Sequence, residues 1–104
     1  MPVTLKKNRK TLVAAIKGDI DHHSAAELRE AIDEALADSG DADTLVLDFG
    51  EVTFMDSSGV GLVMGRYRLA ETLRKKVRVE NLDERDYRIM KMSGIEKIAE
   101  INKK

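Results

Sequence analysis

A compact apolar run at residues 45–49 (LVLDF) places the strongest constraint on how this chain folds. A strand that is apolar on both sides is typical of a parallel sheet, whose two faces are covered. Parallel neighbours need long crossover connections, and these are usually helices. The run therefore predicts that strands and helices alternate along the chain.

Helical patterns occur on both sides of this run. Residues 24–27 (SAAE) have the spacing of a capping box with Ser24 as the N-cap. Apolar residues spaced by three and four follow, until Ser39 and Gly40 end the pattern. A second helix is predicted after residues 55–59, and a third helix after an N-cap at Asp83.

The remaining predicted elements are short. They are strands at residues 3–5, 11–16, 77–80 and 98–101, and a polar loop at residues 19–23. Of these, residues 77–80 (VRVE) alternate as an exposed strand does. We expect an α/β fold with a single domain over residues 1–104. Its central sheet is mostly parallel, with about four to five strands and helices packed on it.

Length and composition narrow the functional classes. The chain of 104 residues has no Cys, so we expect a core without disulfides or thiolate metal sites. It carries 18 basic and 19 acidic residues, a balance that disfavours a nucleic-acid-binding face. No apolar stretch is long enough to span a bilayer, and the N-terminus does not resemble a signal peptide. We expect a cytoplasmic protein that contacts no membrane.

Two adjacent serines, Ser57 and Ser58, lie where a buried strand passes into a helix. Such a junction presents backbone amides and the positive end of the helix dipole. One serine is sufficient to cap a helix, so the hydroxyl of the other serine has no capping role and lies beside Asp56. The pair therefore indicates a reactive or modifiable hydroxyl in addition to a helix cap.

Three glycines fall in the first two turns of the second helix, where each costs about 1 kcal/mol relative to Ala. We expect Gly61 and Gly65 to allow close packing of the helix on the sheet. Gly59 is a candidate for close approach by the backbone of a partner protein.

Catalytic alternatives have weaker support. A hydrolase elbow needs a glycine two residues before the serine, but Met55 occupies that position. Residues 19–23 (DIDHH) resemble metal ligands, but phosphoesterases with such a run need further carboxylates and a longer chain. No phosphate-binding glycine loop is present. We expect neither catalysis nor a metal or cofactor.

Four segments together resemble a known family. They are residues 18–25 (GDIDHHSA), 54–61 (FMDSSGVG), 65–67 (GRY) and 92–95 (MSGI). In this order they resemble anti-sigma factor antagonists of the STAS domain family, with the sporulation type most similar. The resemblance extends from about residue 12 to residue 101. One departure is Arg74-Lys75-Lys76, where the family usually has a glycine-rich turn.

The resemblance implies a partner-switching cycle. The unphosphorylated antagonist binds an anti-sigma factor that is itself a serine kinase, and the sigma factor is freed. The kinase then phosphorylates the first serine of the pair, here Ser57, and a metal-dependent serine phosphatase resets the switch. By the same resemblance, the docking surface comprises Asp21, His22, His23, Met55, Asp56, Ser58 and Gly59. The antagonist would be a monomer when unbound, and it would be a substrate of the kinase.

Phosphorylation adds a charge of about −1.5 to −2 at neutral pH. The dipole at a helix start tolerates such a charge, so we expect no refolding of the protein itself. Within an interface the same charge must be desolvated beside Asp56, which weakens docking. Two other functional hypotheses stay open beside the sporulation type. One is an antagonist of a general-stress or other signalling pathway, and the other is a small hydrolase or metal-dependent phosphoesterase.

Overall fold

The computed structural model describes residues 2–104, which form one five-stranded sheet with three α-helices. The elements in chain order are β1 (Val3–Asn8), β2 (Thr11–Ile20), α1 (His22–Asp38), β3 (Thr44–Met55), α2 (Ser57–Thr72), β4 (Lys76–Leu82), α3 (Glu84–Met92), a 3-10 helix (Ile95–Lys97) and β5 (Glu100–Lys103). None of the helices in this part of the chain is long and apolar enough to cross a membrane.

The strands lie in the sheet in the order in which they occur in the chain. β1 pairs antiparallel with β2, and every later neighbour pairs in parallel. Because crossovers between parallel strands are right-handed and each moves one strand in the same direction, the three helices lie on one face. The predicted α/β fold with a mostly parallel sheet is confirmed.

The core lies between the sheet and the helices. Its largest members are Ile16, Ile20, Leu28, Ile32, Leu36, Leu45, Leu47, Phe49, Met55, Leu82, Met90 and Ile95. The expectation that residues 45–49 are buried on both faces holds only in part. Val46, on the other face of β3, is buried, whereas Asp48 is half-exposed and accepts hydrogen bonds from Gly50 and Asn81.

β3 is longer than predicted, because Gly50 marks a bulge where the sequence indicated the end of a strand. Ala15 pairs with Asp48 but Lys17 pairs with Glu51, so β3 holds one extra residue between these pairs. Glycine inside a strand often accompanies such a bulge. The strand then continues to Met55, six residues beyond the apolar run 45–49.

The first helix begins earlier than predicted. β2 runs on to Ile20, so residues 19 and 20 belong to a strand where a loop was predicted. Asp21 is the N-cap, and Ser24 occupies the third helical position. The prediction of Ser24 as N-cap was wrong, because an aspartate three residues earlier takes that role at the end of the strand.

The far edge of the sheet also differs from expectation. β4 lies between β3 and β5 with Val77 and Val79 in the core, so the segment predicted as an exposed strand is an interior one. The last strand is Glu100–Lys103, because the chain forms a 3-10 turn at residues 95–97 in which the Ile98 amide donates to the Ile95 carbonyl.

The turn after α2 places an arginine in a backbone conformation that favours glycine. Arg74 adopts a left-handed conformation with φ of 60°. The Lys75 amide donates to the Ala70 carbonyl at 2.8 Å and the Arg74 amide to the Glu71 carbonyl at 3.0 Å, which is the Schellman arrangement. The Lys75 ammonium reaches the carbonyls of Ser39 and Ala42 beyond α1. Lys75 therefore links the carboxyl ends of α1 and α2.

Candidate functional site

The starts of α1 and α2 lie side by side at one edge of the sheet. β2 and β3 are parallel neighbours that both end there, with Ile20 paired to Met55. The Asp56 amide donates to the Ile20 carbonyl at 3.2 Å and so joins the two strand ends. The segments predicted as functional, residues 19–23 and 55–59, are therefore adjacent in space.

Asp56 caps α2, so neither serine does. Its carboxylate accepts the Ser58 amide at 2.7 Å. Ser57 occupies the first helical position and is exposed, and no group among residues 2–104 hydrogen-bonds its hydroxyl. A serine hydroxyl that has no capping role is available to an external reagent.

The two serines open onto different grooves. Ser57 lines a groove between α2 and α3, with a volume of about 620 Å³. Ser58 is half-buried and lines the groove between α1 and α2, together with His22 and Arg29. Two hydroxyls adjacent in sequence are thus presented to different sides of the helix start.

The start of α1 is held by a reciprocal pair. The Asp21 carboxylate accepts the amides of His23 and Ser24, each at 2.9 Å, and the Ser24 hydroxyl accepts the Asp21 amide at 3.0 Å. The hydrogen bond from the Ser24 amide holds the pKa of Asp21 below its ordinary value. His22 and His23 are exposed, with their rings edge-to-face at 5.8 Å. The histidines therefore lie on the first helical turn beside α2.

Two of the predicted contact residues are buried. Met55 is fully buried in the core, and Gly59 is buried against it. A Cβ atom at Gly59 would lie 2.3 Å from both Cγ and Sδ of Met55. The glycine is therefore required by packing inside the protein, and the Met55 side chain is not accessible to a docking partner.

Gly61 and Gly65 also differ from expectation. A Cβ atom at either position would meet no atom within 4 Å, so neither glycine is required for packing on the sheet. Both line the α1–α2 groove. These helices are held together farther along by the buried Arg66, whose Nε lies 2.6 Å from an Asp33 carboxylate oxygen. The GRY motif thus contributes an ion pair to the helix packing.

Three residues of α3 line the groove beside Ser57 and were not predicted as site residues from the sequence. Arg85, Ile89 and Met92 line the α2–α3 groove together with Ser57 and Val60. Met92 is 81% exposed. Nothing in the local pattern reveals this, because the contact depends on β4 lying next to β3.

The acidic and histidine residues of 19–23 do not form a metal centre. The Asp19 carboxylate accepts the Thr53 hydroxyl at 2.8 Å and connects the ends of β2 and β3. Among residues 2–104 no group of three His, Asp or Glu side chains is placed to hold a metal ion.

Comparison with known proteins now identifies the family. Residues 2–104 match the STAS domain, which is nearly the whole chain. The chain belongs to the STAS domain family. A relative from Paenibacillus polymyxa, an anti-sigma F factor antagonist, is 31% identical over 97% of this chain and 86% of its own length. An anti-sigma-B factor antagonist of Bacillus subtilis is 34% identical over 98% of this chain and 91% of its own. This STAS domain is therefore of the anti-sigma factor antagonist type.

Solved structures agree with this assignment. The unphosphorylated form of the anti-sigma factor antagonist SpoIIAA superposes with a TM-score of 0.79 at 31% identity, covering 95% of this chain and 86% of that chain. The phosphorylated form of SpoIIAA from Bacillus gives a TM-score of 0.73 at 31% identity, covering 95% and 89%. The resemblance to anti-sigma factor antagonists of the STAS domain family, stated from the sequence, is thus confirmed by both sequence and fold.

Proposed function

We propose that this STAS domain is the phosphorylatable member of a partner-switching pair, and that Ser57 is the acceptor. The observation that carries the proposal is the exposed Ser57 hydroxyl at the start of a helix that Asp56 already caps. SpoIIAA, which shares 31% of its residues with this chain, exists in phosphorylated and unphosphorylated forms.

In the proposed cycle the unphosphorylated protein binds an anti-sigma factor serine kinase and so frees a sigma factor. The kinase transfers the γ-phosphoryl group of ATP. A bond forms between the Ser57 oxygen and phosphorus, the bond from phosphorus to the β–γ bridging oxygen breaks, and ADP and a proton leave. A metal-dependent serine phosphatase later hydrolyses the phosphoserine. The STAS domain is a substrate in both steps and catalyses neither, and it works as a cytoplasmic monomer between them.

The proposed docking surface surrounds Ser57 on two helix starts. It includes Asp21, His22 and His23 of the α1 start, and Asp56 and Ser58 of the α2 start. All five lie at the edge where β2 and β3 end, and the two histidines are exposed. Met55 and Gly59 are left out, because both are buried.

Release follows from the charge that phosphorylation adds. A phosphate carries about −1.5 to −2 charges at neutral pH, and in a closed interface it must be desolvated next to Asp56. Within the unbound protein the α2 start accommodates the charge, so the fold stays the same. We expect amide NMR spectra of the two forms to differ at residues 54–66 and at groove neighbours, whereas chain-wide changes would contradict this mechanism.

Mass spectrometry tests the acceptor directly. Mixed with its kinase and ATP, the protein gains about 80 Da, the mass of one phosphoryl group. Ser57→Ala binds the kinase without gaining mass, whereas the matched Ser58→Ala variant still gains it. Mass gain in Ser57→Ala and its loss in Ser58→Ala would overturn the site, and turnover of a phosphoester by the protein alone would indicate an enzyme.

The pathway has a second candidate. The anti-sigma-B factor antagonist is 34% identical to this chain and the anti-sigma F factor antagonist is 31% identical, so a general-stress or other signalling pathway is a candidate beside the sporulation type. Binding measured against one kinase of each type decides between them, with the cognate kinase expected to bind the Ser57→Ala variant and the other not.

A further inference from the structure

The Arg85 side chain lines the α2–α3 groove that Ser57 also lines. Its Nη1 donates to the Met55 carbonyl at 3.1 Å, two residues before Ser57. The same nitrogen contacts a carboxylate oxygen of Asp86 at 3.3 Å, and the guanidinium lies 5.8 Å from the centre of the Phe54 ring. These contacts hold the guanidinium at the end of β3.

Arg85 keeps hydrogen-bonding capacity beyond these contacts. A guanidinium has five N–H donors, and only Nη1 is engaged by other groups within residues 2–104. Its side chain is 59% exposed, so the remaining donors are open to a ligand in the groove. An arginine held at one nitrogen is well suited to a phosphate, because its planar fork binds two oxygens together.

The charges along this groove are few. Asp56 from α2 and Arg85 from α3 are the charged side chains that line it. Asp56 is already engaged as the cap of α2 and repels a phosphate. Arg85 is therefore the positively charged side chain that lines this groove together with Ser57.

We propose that Arg85 receives the phosphate of phosphorylated Ser57 within the same molecule. This rests on the proposed function, since it assumes that Ser57 carries the phosphate. Nη1 remains on the Met55 carbonyl and Asp86, while Nε and Nη2 donate to the phosphate oxygens. The phosphate is then held over the α2–α3 groove, and Arg85 is withdrawn from any contact with a partner. Phosphorylation thus adds negative charge at Ser57 and at the same time removes the Arg85 guanidinium from contact with a partner.

The test uses the full chain with phosphoserine installed at position 57 by synthesis, so that no kinase is needed. Phosphorus NMR follows the second ionisation of the phosphate against pH. We expect Arg85→Gln to raise the proton affinity of the phosphate about threefold to tenfold, as removal of an adjacent positive charge requires. The matched control is Arg88→Gln, which removes the same charge from an exposed position on the same helix, and it leaves the titration unchanged.

Two further measurements keep the test decisive. Arg85→Gln deprives the buried Asp86 carboxylate of its ion pair, so Arg85→Gln/Asp86→Asn is titrated as well, and we expect it to match Arg85→Gln. Arg85→Lys should restore only part of the effect, because an ammonium lacks the planar fork. Equal titrations of the wild type, Arg85→Gln and Arg88→Gln would overturn the proposal. Failure of a kinase to use Ser57 would overturn the proposed function and leave this titration unaffected.

Discussion

Substitution of Gly59 by Ala tests how α2 is packed against the end of β3. The added Cβ would lie 2.3 Å from Cγ and Sδ of Met55, well inside van der Waals contact. Met55 is fully buried, so its side chain has no open space into which it can move. Either Met55 leaves its rotamer or the first turn of α2 moves outward.

The expected change in the free energy of unfolding of Gly59→Ala follows from two opposing effects. Overpacking of a dense core costs about 1–3 kcal/mol, and this contact lies at the upper end because two atoms clash. Alanine is favoured over glycine in a helix by about 1 kcal/mol, less at a helix start. We expect Gly59→Ala to lower the free energy of unfolding by about 2 kcal/mol. In the matched control Gly61→Ala the added Cβ has no atom within 4 Å. We expect this variant to raise the free energy of unfolding by up to about 1 kcal/mol.

Urea unfolding followed by circular dichroism measures both variants. Small proteins lose about 1–3 kcal/mol of stability per molar urea, so a change of 1 kcal/mol moves the unfolding midpoint by about 0.3–1 M and the opposite signs are resolved. A double-mutant cycle with Met55→Ala isolates the contact, because the alanine at 59 should cease to destabilise once the sulfur is gone. A Gly59→Ala protein as stable as the wild type, or a loss of stability in Gly61→Ala, would refute the packing argument.

Two other substitutions probe the turn after α2 and the buried carboxylate behind Arg85. Arg74→Gly should raise the free energy of unfolding by about 0.5–1 kcal/mol by relieving the left-handed backbone, whereas Arg74→Ala should give no gain in the same urea experiment. Burial, with repulsion from Asp83, raises the pKa of Asp86. The folded state therefore binds this proton more tightly than the unfolded state, and stability is lost as pH rises through the folded pKa. Asp86→Asn should gain stability relative to the wild type as pH rises from acid to neutral. A difference in the free energy of unfolding that does not depend on pH would contradict the raised pKa of Asp86.

Much of the fold could be predicted from local patterns. The apolar run at residues 45–49 and the spacing of apolar residues in the helices indicated alternating strands and helices, and the sheet has that form. The errors occurred at element ends. Ser24 fits a capping box as well as Asp21 does, and only the length of β2 decides which one caps α1.

The glycines of α2 show a second limit of sequence analysis. A glycine inside a helix indicates that something requires the absence of a side chain, but it does not identify the neighbour. Gly59 lies against Met55, whereas Gly61 and Gly65 line an open groove, the reverse of what was expected. Which glycine contacts the core depends on how the helix is rotated about its axis.

The sequence by itself determined that strands and helices alternate and that an aspartate and two serines precede the second helix, because strand and helix formation depends on neighbouring residues. Only the tertiary structure decided that Asp56 is the cap, that Ser57 and Ser58 line separate grooves, and that Arg85 lies across from Ser57. These relations depend on the pairing of β3 with β4 and on the packing of α2 beside α3. Such contacts join residues distant in the chain, so no local pattern records them.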